Sequence, residues 1–178
     1  MKSTLVAFTL LSFAIDAQAV SHSEPHRHGE GYLSIEIDGS ELALSLKVPS
    51  VNIVGFERNA ETDDERAAIA AAISDLSNPL ELFVLPIDAG CAAMSANVAR
   101  VGDAFGQEST GDDEIHTEFQ AEYSVQCQNV AGVNMVEFAF FDRFPDTRSF
   151  RVKVVSQGGM RIQEVKPQQP VLDISEPT

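Results

Sequence analysis

The sequence predicts an α+β domain: an antiparallel, strand-dominated sheet or sandwich with one main packed helix. Three observations carry that expectation. Apolar residues alternate on both sides of Asp38-Gly39. A capping box from Thr62 to Glu65 opens a single helical stripe. From His116 onward, successive apolar runs return to a period of two.

Residues 1–19 read as a secretory signal peptide, with Met1-Lys2 as the positive start, Leu5 to Ile15 as the apolar run and Ala17-Gln18-Ala19 as the cleavage signature. The run falls short of the roughly 20 apolar residues of a membrane span, and no later segment reaches that length. Cleavage leaves about 159 residues, enough for one domain with its own core. Residues 20–31 are polar and carry three of the four histidines, so a mobile N-terminus is expected ahead of a single domain over 32–175.

Leu33, Ile35 and Ile37 alternate with polar residues, and Leu42, Leu44 and Leu46 alternate on the return strand. Asp38-Gly39 between them is a hairpin signal of the type I′ kind. Residues 51–56 follow Pro49-Ser50 and read as a third extended piece. Thr62 can accept from a helix amide while Glu65 reaches back, so a helix is expected over 63–76, stopping before Asn78-Pro79. Ala72 lies with Ile69, Ile73 and Leu76 on its apolar stripe. Residues 80–85 read as a short strand or a turn of helix, 91–101 as a strand and 102–114 as an acidic loop. In 116–127 Phe119, Ala121, Tyr123, Val125 and Cys127 share one side, and His116, Glu118, Gln120 and Glu122 share the other. Strands are expected over 133–141, 150–155 and 160–165, with Gly158-Gly159 closing the last hairpin, and 171–174 as an edge piece.

An exported chain meets an oxidising compartment, where an even pair of cysteines, Cys91 and Cys127, reads as a disulfide. A metal clip would want closer spacing or flanking histidines. The formal charge is −15, and loss of Lys2 and Asp16 with the signal leaves it there. Such a chain repels nucleic acid and anionic lipid, and its field draws in cations. Many exported proteins are acidic for solubility alone.

His22, His26 and His28 fall close together, and His26 and His28 project the same way from an extended segment, a compositional hint of metal binding. His116 with Glu118 two residues on offers an imidazole and a carboxylate on one strand face. The plain alternatives are a loose polar tail and a solvated strand face. Zinc requires neutral imidazole, so binding should weaken as pH falls through about 6.5. No Gly-x-Ser-x-Gly, phosphate loop or dinucleotide fingerprint occurs, and the bridge leaves no thiol nucleophile, so the chain is not expected to be an enzyme.

Several ordered strings carry a resemblance. These are His26-Arg27-His28-Gly29 leading into Leu33-Ser34-Ile35, then Val54-Gly55-Phe56-Glu57, then Thr62 with Glu65. Leu82-Phe83, Leu85-Pro86 and Cys91 follow. His116, Glu118-Phe119, Ala121-Glu122-Tyr123 and Cys127 come next, and Phe141-Asp142 with Phe144-Pro145 close the series. Over nearly the whole mature chain this resembles the ZrgA family of secreted, zinc-uptake-associated proteins of Gram-negative bacteria. The resemblance implies a periplasmic protein that binds zinc and works beside an ABC-type zinc transporter. Two departures stand out. The long histidine- and aspartate-rich insert usual in the family is replaced by a stretch without histidine, and Arg58 stands where many members have histidine after Gly-Phe-Glu. The expected ligands are therefore His26, His28, His116 and Glu118, with Glu57 assigned to an ion pair with Arg58. A metal-free interaction module on the same scaffold is the alternative.

Overall fold

The computed structural model describes residues 27–102 and 116–175. Expectations for the signal peptide, for His22 and His26 and for nearly all of the acidic loop fall outside these residues. Among the described residues nine strands form two sheets. The larger has the order β4-β5-β2-β1-β7-β8, and the smaller β3-β6-β9. The pairs are antiparallel except β1 with β7, which run parallel.

The first hairpin joins β1 (Glu30–Asp38) to β2 (Glu41–Pro49), with Ile35 opposite Leu44. Its loop is Gly39-Ser40 rather than Asp38-Gly39. Only Gly39, the first of the two, has positive φ, which excludes type I′ and matches the glycine position of type II′. Residues 29–31, expected to belong to a mobile N-terminus, are tied down: Glu30 opens β1, and the Gly29 carbonyl accepts from Arg148 and Ser149. Gly31 has a packing reason. A Cβ there would lie 2.4 Å from a Phe150 ring carbon.

Residues 51–56 are not extended. A short helix α1 (Ser50–Val54) forms and ends at Gly55, whose φ of 82° and N–H to the Val51 carbonyl make a left-handed cap. The run Val51, Ile53 and Val54 suits a strand by propensity, but tertiary context overrides it. Asn52 is buried and its Oδ1 accepts from Gly29 N–H at 2.8 Å, which fixes this turn against the start of β1.

Helix α2 (Asp63–Leu76) has the expected bounds. Thr62 Oγ1 accepts from Glu65 N–H while the Glu65 carboxylate accepts from Thr62 N–H, and Ala72 and Leu76 are buried. Tyr123 Oη donates to the Leu76 carbonyl at 2.8 Å, and burial pushes this phenol upward from its ordinary value. Where a short strand or a turn of helix was expected over 80–85, a turn of helix, α3 (Pro79–Leu82), leads directly into a short strand, β3 (Phe83–Val84). The strand expected over 133–141 is shorter. It becomes β6 (Met135–Phe138) followed by α4 (Phe140–Arg143), because the four-residue apolar end, 138–141, must turn three phenylalanines inward. β7 (Ser149–Ser156) and β8 (Gly159–Val165) form the last hairpin, and β9 (Val171–Asp173) joins β6.

The core lies between the inner face of the large sheet and a second layer made of α2, α3, α4 and the small sheet. Phe83, Phe138, Phe140 and Phe150 stack and meet edge-on with centroids 4.9–6.1 Å apart. In β5 (Thr117–Cys127) every second residue from Thr117 to Cys127 is buried, and β4 (Cys91–Gly102) flanks it at the sheet edge. Cys91 and Cys127 are direct partners in the β4–β5 ladder and form a disulfide.

Two outcomes follow. The bridge closes a loop of 36 residues, so replacing both cysteines by serine lowers stability in urea by about 3–4 kcal/mol on the chain-entropy account; an unchanged midpoint contradicts it. Arg58 hydrogen-bonds Glu65 and, with the Glu61 and Thr62 amides, holds its carboxyl down to about 2. A depressed carboxyl stabilises the fold above its ordinary range and stops doing so as pH falls from about 4.5 to about 2. Glu65→Gln should flatten the acid-unfolding curve in that window.

Candidate metal centre

At the end of the large sheet opposite the disulfide, three chain segments meet. One is the lead into β1, with His28. The second is the exit from α1, with Glu57. The third is the start of β5, with His116 immediately before Thr117.

Glu57 is placed through its own backbone. Gly55 turns the chain out of α1, and the main-chain oxygen of Glu57 then accepts two hydrogen bonds: Thr117 Oγ1 at 2.7 Å and Arg100 Nη2 at 2.8 Å. The same Arg100 nitrogen donates to the Arg58 carbonyl and to Thr117 Oγ1, and its Nε donates to Ser50 Oγ. Thr117 is fully buried, and burial lowers the Arg100 guanidinium from its ordinary value while the Glu57 charge opposes that shift. Phe56 lies under both Arg58 and Arg100. β4 can close this tightly on β5 because residue 102 is glycine; a Cβ there would sit 2.5 Å from the Thr117 methyl.

The carboxylate of Glu57 points between two imidazoles. Its Oε2 lies 3.0 Å from His116 Nδ1, and its Oε1 lies 3.2 Å from His28 Nε2. The side chain of Glu57 is 10% exposed, those of His28 and His116 58% and 41%, so the carboxylate is sheltered while both rings reach solvent. The rings stand 6.4 Å apart at 63°. One ligand atom from each of the three residues lies within 4.8 Å of the other two.

These residues fit a divalent ion. In a tetrahedral zinc site with bonds near 2.1 Å, ligand atoms stand about 3.4 Å apart. The two histidine–carboxylate separations, one to each oxygen of Glu57, are already at that scale, and one ligand atom from each residue lies within 4.8 Å of the others. Two imidazoles and one carboxylate suit zinc by donor type and leave a fourth position open. Both cysteines are bridged, so no thiolate is offered to a softer metal.

The structure rearranges the sequence-predicted set. His28 and His116 come together. His26 lies outside the described residues. Glu118 does not join them: its Oε1 accepts from Gln120 Nε2, and no carboxylate of Glu118 belongs to the cluster. Glu57, assigned from sequence to Arg58, is the carboxylate that meets both histidines. Arg58 turns away to Glu65 and Glu61, held there by the helix cap. Arg100, Thr117 and Asn52 position the site from far along the chain. For Glu57 itself the sequence offered only the Val54-Gly55-Phe56-Glu57 string, which did not indicate what its carboxylate would face.

A model of the ZrgA family of zinc uptake proteins matches residues 25–174. That span includes every segment of the cluster, and the chain belongs to this family. No curated protein matches the chain.

The positioning role of Thr117 can be measured. Thr117→Val keeps the shape but deletes the hydroxyl that donates to Glu57 O and accepts from Arg100, so it should cost about 1–3 kcal/mol. An unchanged urea midpoint would show that this contact does not hold the corner together.

Proposed function

We propose that this chain is a periplasmic zinc-binding protein that assists zinc import beside an ABC-type transporter, with no catalytic role of its own. The single observation supporting zinc contact is the meeting of His28, Glu57 and His116 at one corner of a zinc-uptake family fold. Zinc here is cargo. A site with three protein ligands and two exposed rings suits an ion that must be taken up and given back, because the open side admits water or an incoming ligand without unfolding anything. The charge of −15 adds an attractive field for a divalent cation and none for nucleic acid.

One arrangement of the same residues favours a competing reading. Both oxygens of Glu57 already face imidazoles, and Arg100 lies close by, so the trio could serve only to clasp the start of β1 to the sheet end. On that reading the protein is a metal-free interaction module of the same fold.

Titration of zinc into the chelator-treated mature protein separates the two. The zinc reading predicts a sub-micromolar site, weakened about 100-fold or more by Glu57→Gln or His116→Ala, equivalent to about 2.7 kcal/mol. Glu118→Gln should leave affinity unchanged. Affinity should fall as the solution is made more acidic, since a protonated ring has no lone pair for the metal. A protein that takes up no zinc, or one in which Glu118→Gln is the damaging change, overturns this assignment.

A further inference from the structure

The cation next to Glu57 in sequence is turned away from the corner by a contact on another element. Consecutive Cα atoms stand about 3.8 Å apart, so the longer side chain of Arg58 could be turned to the Glu57 carboxylate. Instead its Nη2 donates to Glu65 Oε1 at 2.6 Å and its Nη1 to Glu65 Oε2 at 3.0 Å, a two-pronged pair. Nη1 also donates to the Asn59 carbonyl at 3.0 Å, and Glu61 Oε1 lies 3.8 Å away. Arg58 Cζ lies 5.3 Å from the centre of the Phe56 ring. Glu65 is itself aimed by the start of α2, where its Oε2 accepts from the Glu61 and Thr62 amides at 2.7 and 3.2 Å. Backbone geometry at a helix N-terminus thus fixes the direction of this arginine.

As a source of stability the pair is minor, because Arg58 reaches solvent and exposed ion pairs contribute little. Where it keeps the charge matters more. The Glu57 carboxylate is sheltered, and charges in sheltered surroundings act on one another more strongly than in water. An arginine fork matches a carboxylate with two parallel hydrogen bonds. Set on Glu57, it would occupy the oxygens that now face His28 and His116, and it would place a positive charge beside an incoming divalent ion. Given the zinc reading on which this depends, we infer that Glu65 is a positioning residue for the corner: by clasping Arg58 it keeps that cation off Glu57, whose carboxylate then faces the two imidazoles and can accept zinc. Affinity at the corner is thereby coupled to the cap of α2, although Glu65 is not one of the three ligands.

The test releases Arg58 without removing the cap. A glutamine at position 65 keeps the side-chain acceptor that a capping box requires, so Glu61→Gln/Glu65→Gln deletes only the charges that hold the arginine. Zinc titrated into this chelator-treated mature variant should bind about 10-fold or more weakly than to the parent. Adding Arg58→Gln should bring affinity back to within about 2-fold of the parent, which a merely structural defect in the cap would not allow. Adding Arg66→Gln instead, which deletes an equal charge paired with Asp63 on the same helix, should not restore it. A metal-free readout accompanies the titrations: the side-chain carboxyl carbon resonance of Glu57. Arg58→Gln should move it further in the release variant than in the parent. A release variant that binds zinc as the parent does, or one that Arg58→Gln fails to restore, overturns the proposal and leaves the zinc site standing. Equal rescue by Arg66→Gln overturns it too, since total charge would then account for the loss. A parent that takes up no zinc overturns the zinc reading, and the Glu57 resonance still decides whether Glu65 keeps Arg58 off the carboxylate; no difference between the two backgrounds says that it does not.

Discussion

The hydrogen bonds that Thr117 and Arg100 give to the main-chain oxygen of Glu57 hold together the corner on which the functional reading turns. A free carbonyl at the exit of a short helix would ordinarily be left to water. Here it is enclosed by a buried hydroxyl and a partly buried guanidinium, and that guanidinium also reaches Ser50 and the Arg58 carbonyl. The loop carrying Glu57 is thereby fixed against the ends of β4 and β5. Its carboxylate inherits a defined position between two rings, so the geometry of the trio is built by backbone contacts rather than by the trio itself.

The disulfide does related work at the other end of the same strand pair. β4 is an edge strand whose residues are mostly half-buried or exposed, so its own burial holds it weakly. Covalent linkage at Cys91 and the Arg100 contacts near residue 102 close the two ends of the β4–β5 ladder. The apolar layer beneath is driven by area rather than direction, and the phenylalanine cluster supplies much of it. The core therefore sets the overall shape, while a few directional contacts at the sheet end set the chemistry.

Local signals in the sequence were legible where one segment decides its own structure. The reciprocal Thr62–Glu65 cap fixed the helix at 63–76, and the strict alternation from Phe119 to Cys127 fixed both the strand and its buried side. Residues 51–54 show the opposite case. Their apolar, β-branched content suggests a strand, yet buried Asn52 answers the amide of Gly29, 23 positions earlier, and the segment turns as a helix. The site followed the same division. His28 and His116 could be picked out by residue type, whereas the partner of Glu57 could not. The neighbour Arg58 was the obvious partner for its charge. What removed Arg58 from contention was the helix cap, which recruits it to Glu65, and what brought His116 in was strand pairing 59 residues away. Neither appears in a window of sequence. His26, two residues before His28, lies outside the described residues.

The most direct test of this account is an anomalous difference map, recorded at the zinc edge, from crystals of the zinc-loaded mature protein. The account predicts one dominant peak about 2.1 Å from His28 Nε2, His116 Nδ1 and an oxygen of Glu57. A peak beside Glu118, or a zinc-loaded crystal with no peak at this corner, would contradict it.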